Sequence, residues 1–393
     1  MVPEGRQTWH GGRALVVSAY PWWPGAWGTA LAWFESYLQD RSQKGTALAW
    51  FESYLQDRSQ KVVIGDVASA NVSLTYGVPQ GSVLGPILFT IYTLPLGNIA
   101  RNHGLKIHMY ADDDQLYIFF EARSQDAAAD AISQVEACVS EIRSWMAANK
   151  LKLNDEKTEV IILCSRQYIN KVQISNVKVG DTSLIPSECV RNLGVLVDRT
   201  ISMEEQAKAV SKAAFYQLRN IASVKSCLPI SSIEKLIHAF ITARLDYCNS
   251  LLHGASSAVL QRIQRVQNAA GRLLTGAKKF EHITPILRSL HWLPVRYRID
   301  YKILLITFKS LNGIAPTYLT DLMDRYQPCR TLRSATRNLL YVPKARLATY
   351  GDRAFSVAAP RLWNSLPEDI RSATTLEAFK TLLKPHLFSK AFP

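Results

Sequence analysis

Three consecutive aspartates, Asp112, Asp113 and Asp114, stand between two short apolar runs, Lys106–Tyr110 and residues 115–120. No other feature restricts the possible folds of this chain as much. Runs of that length, rich in aromatic and β-branched residues, predict strands. The tight connection between them predicts an antiparallel hairpin with carboxylates at its tip. Aspartate is also common in turns, because its side chain bonds the local backbone, so the acids alone fit an ordinary turn. Three like charges beside buried strands nevertheless repel one another, and a divalent cation would relieve that repulsion. Mg²⁺ favours carboxylates together with substrate phosphates, the donor set of two-metal phosphoryl transfer.

The surrounding residues extend the hairpin into an α+β pattern. Residues 124–149 have helical periodicity, with Ser124 as cap and Ile132, Val135, Val139, Ile142 and Met146 as the apolar stripe. Strands are predicted at 151–153 and 160–163, with a turn at Asn154 and Asp155. Strand, strand, helix, strand describes a helix packed on one face of a sheet. Upstream, 62–64 and 72–74 read as a hairpin around Gly65 and Asp66, and a Gly/Pro-rich turn over 76–86 leads into an apolar helix. Gly81 has no side chain, which leaves room for a backbone or nucleotide to approach.

Residues 1–27 show neither helical nor strand periodicity. The block GTALAWFESYLQDRSQK then occupies 28–44 and recurs unchanged at 45–61. Two identical copies do not make a solenoid, and a duplication or an error in gene assembly explains their identity better. Each reads as a short amphipathic helix, with Leu48, Phe51 and Leu55 on one face of the second copy, which alone connects directly to the following strands. No apolar stretch approaches the ~18 residues of a spanning helix, so no membrane is expected. The N-terminal apolar run lacks a small-residue cleavage site, so secretion is not expected either. Six scattered cysteines without a Cys-x-x-Cys pair argue against a zinc site or a disulfide framework.

Charge is divided unevenly. Residues 1–198 hold 17 basic and 20 acidic side chains, whereas 199–393 hold 29 and 12. A nearly neutral half followed by a basic one suits a reaction module joined to a polyanion-binding module, although a basic surface can also serve solubility alone. Helices are predicted over 204–224, 231–252, 258–275 and 290–311. Within 258–275 an apolar stripe opposes Arg262, Arg265 and Arg272, followed by Lys278 and Lys279. Such a helix can track a phosphate backbone. Trp292, Tyr297, Tyr301 and Phe308, near Arg296, Arg298 and Lys302, fit either core packing or stacking on RNA bases. Residues 325–346 hold six Arg or Lys and no acid, so Arg330, Arg333 and Arg337 are further candidates for phosphate contact.

Gly77-Val-Pro-Gln-Gly-Ser-Val-Leu-Gly-Pro86, Tyr110-Ala-Asp-Asp113, Leu153-Asn-Asp-Glu-Lys-Thr158 and Leu193-Gly-Val195 occur in that order. This series resembles the reverse transcriptases of non-LTR (LINE-type, jockey-like) retrotransposons. The likeness runs from about residue 46 to the C-terminus and includes the ending Phe355-Ser-Val-Ala-Ala-Pro-Arg-Leu-Trp-Asn-Ser-Leu-Pro367. It implies a palm over 45–200, a helical thumb-like region over 201–320 and a basic C-terminal region over 321–393, after a non-family segment over 1–44. It further implies that Asp112 and Asp113 are metal-binding carboxylates and that Tyr110 lies near the primer end. Gln80 and Gly81 would touch template and nucleotide, Lys157 would neutralise the leaving pyrophosphate, and Leu193, Gly194 and Val195 would grip the primer. Two Mg²⁺ or Mn²⁺ ions, an RNA template, a DNA primer and dNTPs follow from the same likeness, with residence in nucleus or cytoplasm.

A two-metal site needs a further carboxylate from a separate strand to bridge ions about 3.5–4 Å apart. The family places it on a strand upstream of the helix at 46–56, and no such segment occurs here; residues 1–44 contain only Glu4, Glu35 and Asp40 as acids. Asp114, moreover, stands where the family has a small hydroxyl residue. The chain therefore reads as an N-terminally truncated polymerase fragment that is not expected to polymerise alone. The competing readings are a non-catalytic nucleic-acid-binding remnant of the same fold, and a decayed reading frame without a stable fold.

Overall fold

The computed structural model describes residues 13–22, 44–74, 77–78, 81–121, 124–169, 171–172, 174–327, 338–345 and 348–393. They divide into two compact units, Gly12–Leu193 and Gly194–Pro393, the former α+β and the latter almost entirely helical.

In the first unit, strand β1 (Arg13–Trp22) is followed by helix α1 (Lys44–Leu55). Two nested hairpins come next. β2 (Arg58–Gln60) pairs with β5 (Val72–Leu74), and inside them β3 (Val63–Ile64) pairs with β4 (Val67–Ala68) around Gly65 and Asp66. The expected turn is present, but 72–74 finds its partner one step further out than expected. Helix α2 (Gly85–Asn102) leads into β6 (Lys106–Tyr110) and β7 (Asp113–Phe120). Helix α3 (Gln125–Ala148) follows, with Ser124 Oγ accepting from Ala127 N at 3.1 Å as an N-cap. Then come β8 (Lys152–Leu163), the small pair β9 (Val177–Val179) and β10 (Thr182–Leu184), and β11 (Cys189–Asn192).

The main sheet is antiparallel with the order β6-β7-β1-β8. Its helix-covered side joins Leu116, Ile118 and Phe120 to Val135, Val139, Ile142 and Met146 of α3 and to Leu88, Tyr92 and Leu96 of α2. The helical stripe of α3 is thus the core stripe expected from its spacing, except that Ile132 is only partly buried while Ala131 and Cys138 are buried.

Two expectations are corrected here. Residues 13–22 form a central strand, paired on one side with β7 and on the other with β8. Its apolar run, Ala14 to Tyr20, does not alternate, so the period-two signal that marks a half-buried strand is missing there. Second, 152–163 is one strand rather than two short ones. Ser18 pairs with Glu159 but Tyr20 with Asn154, so 155–158 bulge out opposite Ala19. In α1, Leu55 is buried and Phe51 packs beside it. The first copy of the duplicated block lies largely outside the described residues.

The second unit begins with β12 (Val195–Asp198) and continues through α4 (Glu204–Val224), α5 (Ile230–Ile237), α6 (Ser257–Thr275), α7 (Ile283–Ser289), α8 (Val295–Leu311), α9 (Phe355–Asn364) and α10 (Leu376–Ala391). The helix expected over 231–252 is broken after α5 into a π turn, a short α segment and a 3-10 turn. The helix expected over 290–311 starts only at Val295, because Pro294 cannot continue a preceding helix. Ile233, Ile263, Val266, Ile303, Phe308, Phe379 and Leu383 make a single core. Trp292 and Phe308 are buried in it, so their expected alternative role in base stacking is not available. The C-terminal motif is structural too. Trp363 Nε1 donates to Asn338 O at 2.8 Å, and Asn364 exchanges two hydrogen bonds with the backbone of Leu340.

Candidate active site

The acidic tip is a two-residue turn. Tyr110 pairs with Asp113, and Ala111 takes φ 55°, a conformation more often given to glycine at such a position. β7 alternates from its first residue. Asp113, Gln115 and Tyr117 are half-buried, whereas Asp114, Leu116 and Ile118 are buried. Asp113 and Asp114 therefore belong to the strand rather than to the connection, and they point to opposite faces. Asp112 is exposed, as is Tyr110.

These placements set the electrostatics. Burial raises the pKa of Asp113, the neighbouring Asp112 charge raises it further, and Lys157 lowers it. Lys157 lies on the bulge of β8, which turns residues 155–158 out of the regular ladder. Asn154 shapes that bulge, accepting from Lys157 N at 3.3 Å and, through its carbonyl, from Thr158 Oγ1 at 2.8 Å. Arg143 of α3 secures it by a two-pronged pairing with Asp155 at 2.6 and 2.8 Å. Sequence reasoning missed Arg143, since only the bulge brings Asp155 to the helix. The charges of Asp112 and Lys157 thus both act on Asp113, in opposite directions.

Asp114 differs from them. It is 4% exposed, and its Oδ1 finds no hydrogen-bond partner among the described residues. Burial, then the charges of Asp113 and Asp112, push its pKa up to about 7. It faces the helix-covered side and cannot share a cation with Asp113. Among the described residues no group of three or more His, Cys, Asp or Glu is placed to hold a metal ion. The strand beside β7 offers no carboxylate, because Arg13–Trp22 reads RALVVSAYPW. Two carboxylates at the tip are an incomplete donor set for a pair of ions, so no metal-dependent step is derived for this chain.

The other candidates are scattered. Gly81 has φ 83° with open space around its missing Cβ, so what demands glycine there is backbone conformation. Gln80 lies outside the described residues. Leu193 and Gly194 both have positive φ, at 44° and 82°. Val195 is buried in the core of the second unit, so its side chain cannot touch a primer.

In the second unit Arg262, Arg265, Lys278 and Lys279 are exposed. Arg272 instead folds back, donating to Lys278 O at 3.3 Å and Glu281 O at 2.9 Å. Arg265, Arg272 and Lys279 line an open groove of about 560 Å³ with Lys225, which sequence reasoning overlooked because it stands alone after a helix. Arg330, Arg333 and Arg337 lie outside the described residues.

Residues 33–197 match the family described as reverse transcriptase (RNA-dependent DNA polymerase), so the chain carries a reverse transcriptase domain. The match begins earlier than the residue 46 expected. The chain is 26% identical over 228 residues to the probable RNA-directed DNA polymerase from transposon X-element of Drosophila melanogaster, an alignment covering 56% of this chain and 24% of that protein. It is 25% identical over 233 residues to the corresponding protein from transposon BS of the same organism, covering 57% and 25%. To the RNA-directed DNA polymerase from mobile element jockey of Drosophila funebris it is 22% identical over 210 residues, covering 51% and 22%. The chain thus spans about a quarter of the length of the curated relatives it matches. Reverse transcriptases as a family use divalent metal ions. No described helix is long and apolar enough to cross a membrane.

Proposed function

We infer that the first unit is the palm, and the second the thumb and C-terminal region, of an RNA-directed DNA polymerase. In the complete site Asp112 and Asp113 would hold Mg²⁺, and Lys157 would neutralise the departing pyrophosphate. RNA template and DNA primer would lie along the basic face of Arg262, Arg265 and Lys279. This chain by itself binds nucleic acid without copying it. One observation carries that reading: the strand paired with β7 beside the acidic hairpin, Arg13–Trp22, contains no carboxylate to complete the donor set of Asp112 and Asp113.

Two measurements test it. Primer extension on an RNA template, with Asp112→Asn as control, should yield no incorporation above that control. Fluorescence anisotropy should meanwhile show binding that weakens with salt, with Arg265→Ala and Lys279→Ala each reducing the logarithmic salt slope by about one. Incorporation abolished by Asp112→Asn would instead establish a working polymerase. Salt-insensitive binding would remove the phosphate-gripping role of the second unit.

A further inference from the structure

Gln115 stands two residues beyond Asp113, on the same face of β7. Its Nε2 donates to Asn192 Oδ1 at 2.6 Å, joining positions 77 residues apart. Asn192 ends β11 and immediately precedes Leu193. The stretch before it is held to β8, because Ser187 N donates to Val160 O at 2.7 Å and Val190 is buried. Leu193 itself has φ 44°, a conformation that branched L residues avoid and that persists only where neighbouring contacts hold it. A half-buried side-chain amide pair is a directional tie of fixed length, unlike an apolar contact. It runs from the strand that carries Asp113 to the residue that sets up the Leu193 turn.

We propose that the Gln115–Asn192 pair is a strut that sets the spacing between the acidic tip and Leu193, making both positioning residues for a primer 3′ end. The proposal rests on the reading of Leu193 as part of the primer grip. Neither residue touches reacting atoms. Removing either leaves the carboxylates in place but frees the turn.

The test uses the full chain and a DNA primer annealed to a longer RNA template, with 2-aminopurine at the primer 3′ terminus. Fluorescence is the readout, so no catalysis is required. Gln115→Ala and Asn192→Ala should each weaken binding of this duplex about three- to tenfold and alter the 2-aminopurine emission, leaving affinity for single-stranded RNA unchanged. The double variant should lose no more than either single one. Exchanging the pair, Gln115→Asn together with Asn192→Gln, keeps the summed side-chain length and should restore both signals, whereas Gln115→Asn alone should not. Should an alanine variant fail to melt cooperatively, the exchanged pair decides. Additive losses, or an exchanged pair that melts like the parent without restoring the signals, would overturn the strut. So would an alanine variant that still places the terminus like the parent. If the parent binds the recessed duplex no better than single-stranded RNA, the primer-grip reading itself fails and the strut falls with it.

Discussion

At the tip of the acidic hairpin, alternation along β7 turns Asp113 outward and Asp114 into the core. The two neighbours consequently carry opposite consequences for stability. Asp114 is ionised at neutral pH only at the cost of burying an unpaired charge. With a folded pKa of about 7 against an ordinary 3.8, it holds its proton more tightly in the folded state. Its contribution is therefore present below about pH 4 and is lost as pH rises through about 7. Asp114→Thr should exceed the parent in stability by about 1–3 kcal/mol at pH 8. That advantage should shrink toward pH 5. Urea denaturation in EDTA at both pH values checks this, and a pH-independent difference would contradict it. Asp198 shows the reverse sign. Burial pushes its pKa up, but hydrogen bonds from Ser202, Thr200 and Met203 together outweigh that and leave it lowered. Its stabilisation is present above the ordinary carboxylate value and is lost as pH falls through the lowered one. Asp198→Ala should cost about 2–3 kcal/mol at pH 7, since it strips the backbone N–H groups of Thr200, Ser202 and Met203 of their acceptor. Equal stability of parent and variant at pH 7 in a thermal melt would refute it.

Among the elements, β1 has the largest structural consequence. It lies between β7 and β8, and without it each of those strands would present an unpaired edge. Val17 pairs with Leu116 on one side and Val160 on the other. Val17→Pro removes a backbone donor from the middle of this sheet and should destabilise the first unit by about 3 kcal/mol or more. Hydrogen exchange should then show faster exchange at β7 and β8 while α8 keeps its protection; unchanged protection of β7 would exclude β1 from the sheet. The bulge in β8 works at the same scale. A regular strand would have left Lys157 in the ladder, whereas the extra residues place it where its charge acts on Asp113.

For the whole molecule, each of the two units has its own hydrophobic core. Separate cores predict separate responses. Phe308→Ala leaves a cavity where Phe308 stacks on Phe379 with ring centroids 4.4 Å apart, and should cost the second unit about 3–5 kcal/mol. Calorimetry should show one transition moving down while the other stays; a single transition moving as a whole would mean that the units unfold as one. The distribution of charge has a consequence at this scale as well. The basic excess falls on 199–393, the half beyond the end of the family match, so the net positive charge and the acidic tip reside in different units.

Local pattern determined much of this molecule before any tertiary contact is considered. The short apolar runs around the aspartates, the capped stripe of α3 and the basic-faced stripe of α6 are each written within a few neighbouring residues, so short-range sterics and capping suffice to specify them. The ordered motifs were likewise enough to mark a reverse transcriptase domain, which the family match over 33–197 bears out. Tertiary structure alone decided which strand lies beside β7, since a continuous apolar run names no partner. It alone turned Asp114 inward, committed Val195 to a core, folded Arg272 onto its own loop and joined Gln115 to Asn192. Each of those outcomes depends on which remote backbone arrives at a given face, and side-chain period carries no information about that.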